Sequence, residues 1–151
     1  MYEQGKVKKE DFDSIWMLKQ SKTNEIIEKT ATVDDTKKRL HLGTMQYKKA
    51  CITNSIKQTA ILMLEKTGQL QFMDYVISNE DVEKPKPDPE GYLKAITYLK
   101  LQPKECMIIE DSPKGIEAAK KTNAHVYEVK GYHDITLENI LNQINHFNLW
   151  C

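Results

Sequence analysis

Apolar residues change their spacing once along the chain, near Lys48. Before that point they recur at helical intervals. "DFDSIWMLKQSKTNEIIEKT" puts Phe12, Ile15, Trp16 and the stem of Lys19 on one face, and Ile26 and Ile27 continue it, which predicts an amphipathic helix. "TVDDTKKRLHLGTMQY" predicts a second, short helix that opens at Asp34 or Asp35 and closes at Gly43. Beyond Lys48, short apolar runs alternate with helical segments. "KKACIT", "DYVISN", "CMIIE" and "HVYEVK" read as strands. Between and after them, "SIKQTAILMLEKTG" (closed by Gly68), "DPEGYLKAITYLKL", "SPKGIEAAKKT" and "TLENILNQINHF" read as helices. Two of these announce their starts with a capping side chain followed by proline: Asp88 before Pro89, and Ser112 before Pro113. In the first of the two, Tyr92, Leu93, Ile96 and Leu99 are predicted to face the core.

Strands separated by helices of this length imply crossover connections and a parallel sheet, because a parallel neighbour cannot be reached through a tight hairpin. The strands are apolar on both faces, as in a sheet covered by helices on both sides. The predicted architecture is therefore α/β, with a helical piece at the N-terminus. In such sheets ligands bind just outside the carboxyl ends of the strands.

Composition narrows the function classes. The chain has 151 residues, one domain's worth, and its 22 basic and 22 acidic residues cancel. Nucleic-acid binders advertise excess base, and none is present. The N-terminus, "MYEQGKVKKEDFD", has no apolar signal-like core, and no run is long enough to span a bilayer. Cys51, Cys106 and Cys151 are scattered and odd in number, which argues against a disulfide framework or a zinc pattern. The four histidines show no ligand spacing. The expected setting is a reducing cytoplasm.

The residues just past each strand carry the candidate chemistry. After "ACI" come Thr53, Asn54 and Ser55; the loop "NEDVEKPKPDP" brings Lys84 and Lys86; after "CMII" come Glu110, Asp111 and Ser112. Thr53 and Ser55, taken singly, read as helix caps, and Lys84 as one solvated lysine among many. The prolines around Lys84 change that reading, since they fix their own φ and restrict the residue before them, so a charge is held in place. A turn needs one acid, not the two at 110 and 111. Together, a hydroxyl at a helix start can hold a phosphate oxygen, a lysine can neutralise it, and one or two carboxylates with a phosphate and waters suit Mg²⁺. The pattern points to phosphoryl transfer.

At these residues the sequence resembles the haloacid dehalogenase superfamily, in the subgroup of β-phosphoglucomutase and phosphoglycolate phosphatase. "ACITNS", "EKPKPDPEGY" and "IIEDSPKGIEAA" are similar to its second, third and fourth motifs, over roughly Lys48 to Val129. The resemblance implies a Rossmann-like core over residues 46–151 and part of a helical cap over residues 1–45. It implies that Thr53, with Asn54 and Ser55, binds the phosphoryl group, that Lys84 neutralises it, and that Glu110 and Asp111 hold Mg²⁺. It further implies an Mg²⁺-dependent phosphatase acting on a small phosphomonoester of the sugar-phosphate type, with a phosphomutase as the alternative within the class and a non-catalytic phosphate-binding module outside it. The family's first motif, Asp-x-Asp-Gly-Thr at the end of a buried strand, supplies the nucleophile and the general acid/base. Asp11-Phe12-Asp13 mimics its spacing, but polar "GKVKKE" precedes it and Ser14-Ile15 follow, so the run reads as a helix start. The first core strand and its nucleophile are thus expected to be absent from these residues, the chain alone to be inactive, and the strands either side of the gap to recruit a missing N-terminal segment or to self-associate.

Overall fold

The computed structural model describes the backbone of residues 9–150 and the side chains of residues 13–150. Helix α1 spans Lys9–Thr30 and α2 spans Asp35–Gly43, opened by the Asp34 carboxylate, which accepts the Lys37 N–H at 3.1 Å. Then follow β1 (Ala50–Ile52), α3 (Lys57–Lys66), β2 (Tyr75–Ile77), α4 (Glu90–Tyr98), β3 (Met107–Glu110), α5 (Pro113–Lys120), β4 (His125–Glu128) and α6 (Leu137–Phe147). The α/β order read from the sequence is the order found. Gly68 closes α3 at a φ of +71°, a conformation that costs a glycine nothing.

The strands form two separate parallel pairs, β1 with β2 and β3 with β4. No ladder joins β1 to β3. The β3–β4 pair is covered on both faces: Ile108 packs with Tyr92, Ala118 and Ala119 on one, while Met107, Ile109 and Tyr127 pack against Leu40, Ile140 and Ile144 on the other. This explains why successive positions, 107–109 of β3 and 126–127 of β4, are apolar. Ile52 of β1 joins the first cluster, so α4 spans both pairs.

Three local expectations change. Leu93 is exposed, and Ala95 takes a core place beside Tyr92 and Ile96. The helix begins one residue later than the sequence suggests, with Pro89 as its cap, although Asp88 Oδ1 still accepts the Glu90 N–H at 3.0 Å. On α1 only Ile27 is buried; Ile15, Trp16 and Ile26 are exposed, and Phe12 lies outside the described side chains. The reason is that α1 packs on α3 through polar contacts, Asn24 Oδ1 with the Thr59 hydroxyl at 2.9 Å and Glu28 with Lys66 at 2.6 Å, while among the described residues nothing covers its apolar side. Helix α2 packs against α6, with Leu40 in one cluster with Ile140 and Ile144. The Asp11–Asp13 run falls inside helix α1 and not in a strand.

Truncating Ile144, buried in the α2–α6 cluster, should cost about 2–4 kcal/mol through lost contact and cavity formation. Truncating the exposed Leu18 should stay within about 0.5 kcal/mol. Urea unfolding of Ile144→Ala and Leu18→Ala, followed by circular dichroism, measures both.

Candidate active site

The carboxyl ends of β1 and β3 meet around one ammonium group, and it belongs to Lys86. Its Nζ donates to Ile52 O at 2.9 Å and pairs closely with the Glu110 carboxylate. The two side chains are only 12% and 10% exposed, so this is a largely desolvated pair. The Tyr92 hydroxyl donates to the same Glu110 oxygen, and the lysine lies 4.9 Å from the centre of the Tyr92 ring. Ser112 completes the shell, its Oγ 3.1 Å from Glu110 Oε2.

Electrostatics follow from these contacts. Burial pushes the Glu110 carboxyl upward, but the hydrogen bonds from Lys86 and Tyr92 and the lysine's charge outweigh it and hold the group below its ordinary range. The Tyr92 phenol moves the other way: burial first, and the facing carboxylate second, keep its proton on.

The loop that carries the lysine is held by its backbone. Asn54 brackets Lys86, its Oδ1 accepting the Lys86 N–H at 3.1 Å and its Nδ2 donating to the Lys86 carbonyl at 3.3 Å. The Glu90 carboxylate accepts the N–H groups of Glu83 and Lys84 at 3.0 and 2.8 Å, and Lys121 donates to Pro87 O at 3.1 Å. The stiffness inferred from the prolines is therefore reinforced by four side-chain clamps, counting the Asp88 carboxylate at the start of α4.

Not every residue picked from the sequence converges in this way. Lys84 is exposed, its ammonium engages no partner among the described residues, and it lines a shallow groove of about 690 Å³ beside Tyr75, Leu93 and Tyr98 as well as the crevice shared by Thr53, Asn54 and Lys86. The largely buried ammonium of this loop is that of Lys86, two residues on. Thr53 sits at the end of β1, its Oγ1 accepting the Ser55 N–H at 3.0 Å, which leaves the hydroxyl proton to donate. Neither Thr53 nor Ser55 caps α3; Ile56 occupies the cap, and the Lys57 N–H goes to Glu80 at 2.6 Å. Asn54 faces the loop and acts on Lys86. Ser112 does cap α5, accepting the Gly115 N–H at 3.1 Å.

Tyr92 and Gly115 were missed as site residues. Tyr92 was read only as core, and its hydroxyl gives no signal in a helical pattern. A Cβ on Gly115 would lie 2.2 Å from the Glu110 carboxyl carbon, so the absence of a side chain there is what admits the carboxylate. The signal available was a glycine inside a helix, where it is otherwise unfavourable.

Asp111 is exposed and, among the described residues, without an ion pair or hydrogen bond, next to the engaged Glu110. Both donors are hard carboxylate oxygens, and Mg²⁺ is held by one or two such groups plus waters and phosphate, so the donor chemistry fits that ion. Among the described residues no three His, Cys, Asp or Glu side chains are grouped to hold a metal ion.

The parallel α/β halves, with hydroxyl, lysine and acids past the strand ends, define a Rossmann-like α/β core. Residues 1–129 match the family described as haloacid dehalogenase-like hydrolase, and the chain belongs to that family. Validoxylamine A 7′-phosphate phosphatase of Streptomyces hygroscopicus subsp. limoneus is 36% identical over 104 residues, 68% of this chain and 49% of that protein. Pyrophosphatase PpaX of Bacillus cereus is 31% identical over 112 residues, 72% of this chain and 51% of that one. A β-phosphoglucomutase from Clostridium difficile matches in structure with a TM-score of 0.76 over 99% of this chain and 75% of its own, at 19% identity, a likeness of fold. The chain spans about half the length of the curated relatives it matches.

Two predictions follow from the lysine's placement and the glycine's. Lys86→Ala strands the Glu110 carboxylate and should cost about 3 kcal/mol, whereas Lys84→Ala should fall within about 0.5 kcal/mol; paired urea titrations at neutral pH decide. Gly115→Ala should expel Glu110 from its place, so that the Tyr92 and Glu110 side-chain resonances shift together. A third concerns pH. Because the folded Glu110 carboxyl ionises below its ordinary 4.5, its contribution is complete at neutral pH and is lost as pH falls through the folded value. Acid unfolding of Tyr92→Phe should therefore begin at higher pH than that of the parent chain.

Proposed function

We propose that this chain carries the phosphate- and metal-binding half of a phosphohydrolase that acts on a small phosphomonoester. The observation that supports the reading best is that the Lys86 ammonium meets Ile52 O at the end of β1 and Glu110 at the end of β3, with Thr53 lining the same crevice as Lys86 and Asp111 next in sequence to Glu110. In this reading the Thr53 hydroxyl donates to a phosphoryl oxygen, and the Lys86 ammonium, held in place by Asn54 and Glu110, offsets charge as it develops on the transferring group. Asp111, with Glu110 beside it, holds Mg²⁺, which when bound offsets phosphate charge and orients the oxygens. The exposed Lys84 stands at the crevice entrance, where it attracts an anionic substrate. Ser55 is a further hydroxyl on the same rim.

Sequence relatives named for acting on phosphate compounds support this chemistry, and the balance of charge argues against nucleic acid as partner. No helix among the described residues is long and apolar enough to cross a membrane. Burial pushes the Cys51 and Cys106 thiols up, which lowers their thiolate fraction at neutral pH.

None of the groups brought together is a nucleophile poised for covalent catalysis, and the Asp11–Asp13 backbone is helical. We therefore assign the chain alone negligible turnover. The test is hydrolysis of p-nitrophenyl phosphate with Mg²⁺ by the chain alone and by the chain extended at its N-terminus with a strand ending in Asp-x-Asp-Gly-Thr. Turnover only in the extended protein, reduced about 100-fold or more by Lys86→Ala and little by Lys84→Ala, is the expected result. Turnover by the chain alone that disappears in Asp11→Asn would overturn the assignment.

A further inference from the structure

Away from the strand ends, a run of side-chain hydrogen bonds fixes the state of one buried imidazole. The Thr67 hydroxyl donates to Met63 O at 2.7 Å, so toward the Gln69 amide its oxygen can only accept. Gln69 Nε2 supplies that bond at 2.9 Å, which turns Gln69 Oε1 toward His41 Nε2, 3.2 Å away. An amide oxygen accepts and does not donate, so neutral His41 carries its proton on Nε2. Nδ1 is then the bare nitrogen, buried and without a hydrogen-bond partner among the described residues. His41 is only 6% exposed, and its ring stacks on Phe72 with centroids 4.9 Å apart. It thus ties the last turn of α2 to the turn that follows α3.

The charges that act on this ring oppose a second ring proton. Lys37, one turn earlier on α2, is itself buried and donates to Tyr132 O and Ile135 O at 2.8 and 2.6 Å. Lys49, just before β1, donates to Thr44 O at 2.6 Å, beyond the end of α2. The acids beside these lysines answer other groups: Asp34 takes the Lys37 N–H and the Tyr132 hydroxyl, and Asp74 takes the Lys49 N–H. Asp35, Lys38 and Arg39 of α2, Glu65 of α3, and Glu138 and His146 of α6 are exposed. Lys57 and Lys66 of α3 pair with Asp81 and Glu28. Burial chiefly, aided by the Lys49 and Lys37 charges, outweighs the Gln69 hydrogen bond and holds the imidazole below its ordinary 6.5.

We propose that His41 is an acid-operated latch: neutral, it holds the end of α2 against the turn after α3, and a second ring proton releases it. An imidazolium keeps its donor to Gln69, but its charge is desolvated beside two ammonium groups, so the ring leaves for water and the last turn of α2 opens. Leu40 stays packed with Ile140 and Ile144, which confines the opening to that turn. The lowered value sets the sign: the hold is complete above pH 6.5 and is lost as pH falls below it toward the folded value. Lys49 precedes the amino end of β1, whereas Lys86 meets its carboxyl end, so the latch is separate from the phosphate site and does not depend on the phosphatase reading.

The test uses the full chain, labelled with ¹⁵N, and follows the histidine ring nitrogens and amide hydrogen exchange from neutral pH down to about pH 5, the range in which one linked proton acts. At neutral pH the His41 ring should show its proton on Nε2. The Thr44 amide donates to His41 O, and its opening, corrected for intrinsic exchange, should rise about tenfold per pH unit below 6.5 until His41 titrates. The Ile140 amide of α6 should not follow it. His41→Gln, neutral at every pH, should flatten the Thr44 profile. Gln69→Glu, which sets a carboxylate against Nε2, should bring the His41 titration above 6.5 and flatten the profile as well. A proton on Nδ1, titration of His41 at or above 6.5 in the parent chain, a Thr44 amide indifferent to pH, or an equal rise at Ile140 would each overturn the latch. So would persistence of the rise in Gln69→Glu.

Discussion

The Lys86–Glu110 pair is the contact on which the rest of the site is built. It joins a loop after β2, the end of β1 and the end of β3, three places separated in sequence. A largely desolvated ion pair is poor evidence of stability, because removing two charges from water costs about as much as their attraction returns. Its value is geometric. With Tyr92 sharing Glu110 Oε1 with the lysine and Ser112 on Oε2, both carboxylate oxygens are bonded, and that arrangement aims the ammonium at the strand ends.

The surroundings serve that arrangement. Asn54 fixes the lysine's backbone on both sides, Glu90 anchors the two residues at the start of its proline run, and Gly115 leaves room for the carboxylate. Asp111 is left unpaired beside this tied-down cluster. An engaged acid next to a free one gives the two carboxylates different work: Glu110 positions the lysine, and Asp111 is open to a cation. The adjacency of like charges noted in the sequence is tolerable because one of the two is neutralised from within.

The same organisation explains what the fold leaves uncovered. Two parallel pairs share helical cover, yet β1 and β3 do not bond to each other, and the apolar side of α1 meets solvent among the described residues. Both features are those of elements shaped for neighbours, since backbone edges and apolar stripes carry an energetic cost when left unpaired.

Sequence alone was enough for the element order, the start of α2 at Asp34 or Asp35, the cap at Ser112, the helix stop at Gly68 and the parallel class. These depend on local rules: residue periodicity, capping side chains and the φ of glycine and proline. It was not enough to choose between Lys84 and Lys86, because each precedes a proline in "KPKP" and the two stand in nearly identical local contexts. Nor could it give Tyr92 its second role or bring α2 to α6. Those choices rest on contacts between residues far apart in the chain: Lys86 with Glu110, Tyr92 with Glu110, and Leu40 with Ile140. Periodicity reports which face of a segment is apolar, but only the packed chain decides which distant group that face, or a loop between two prolines, will meet.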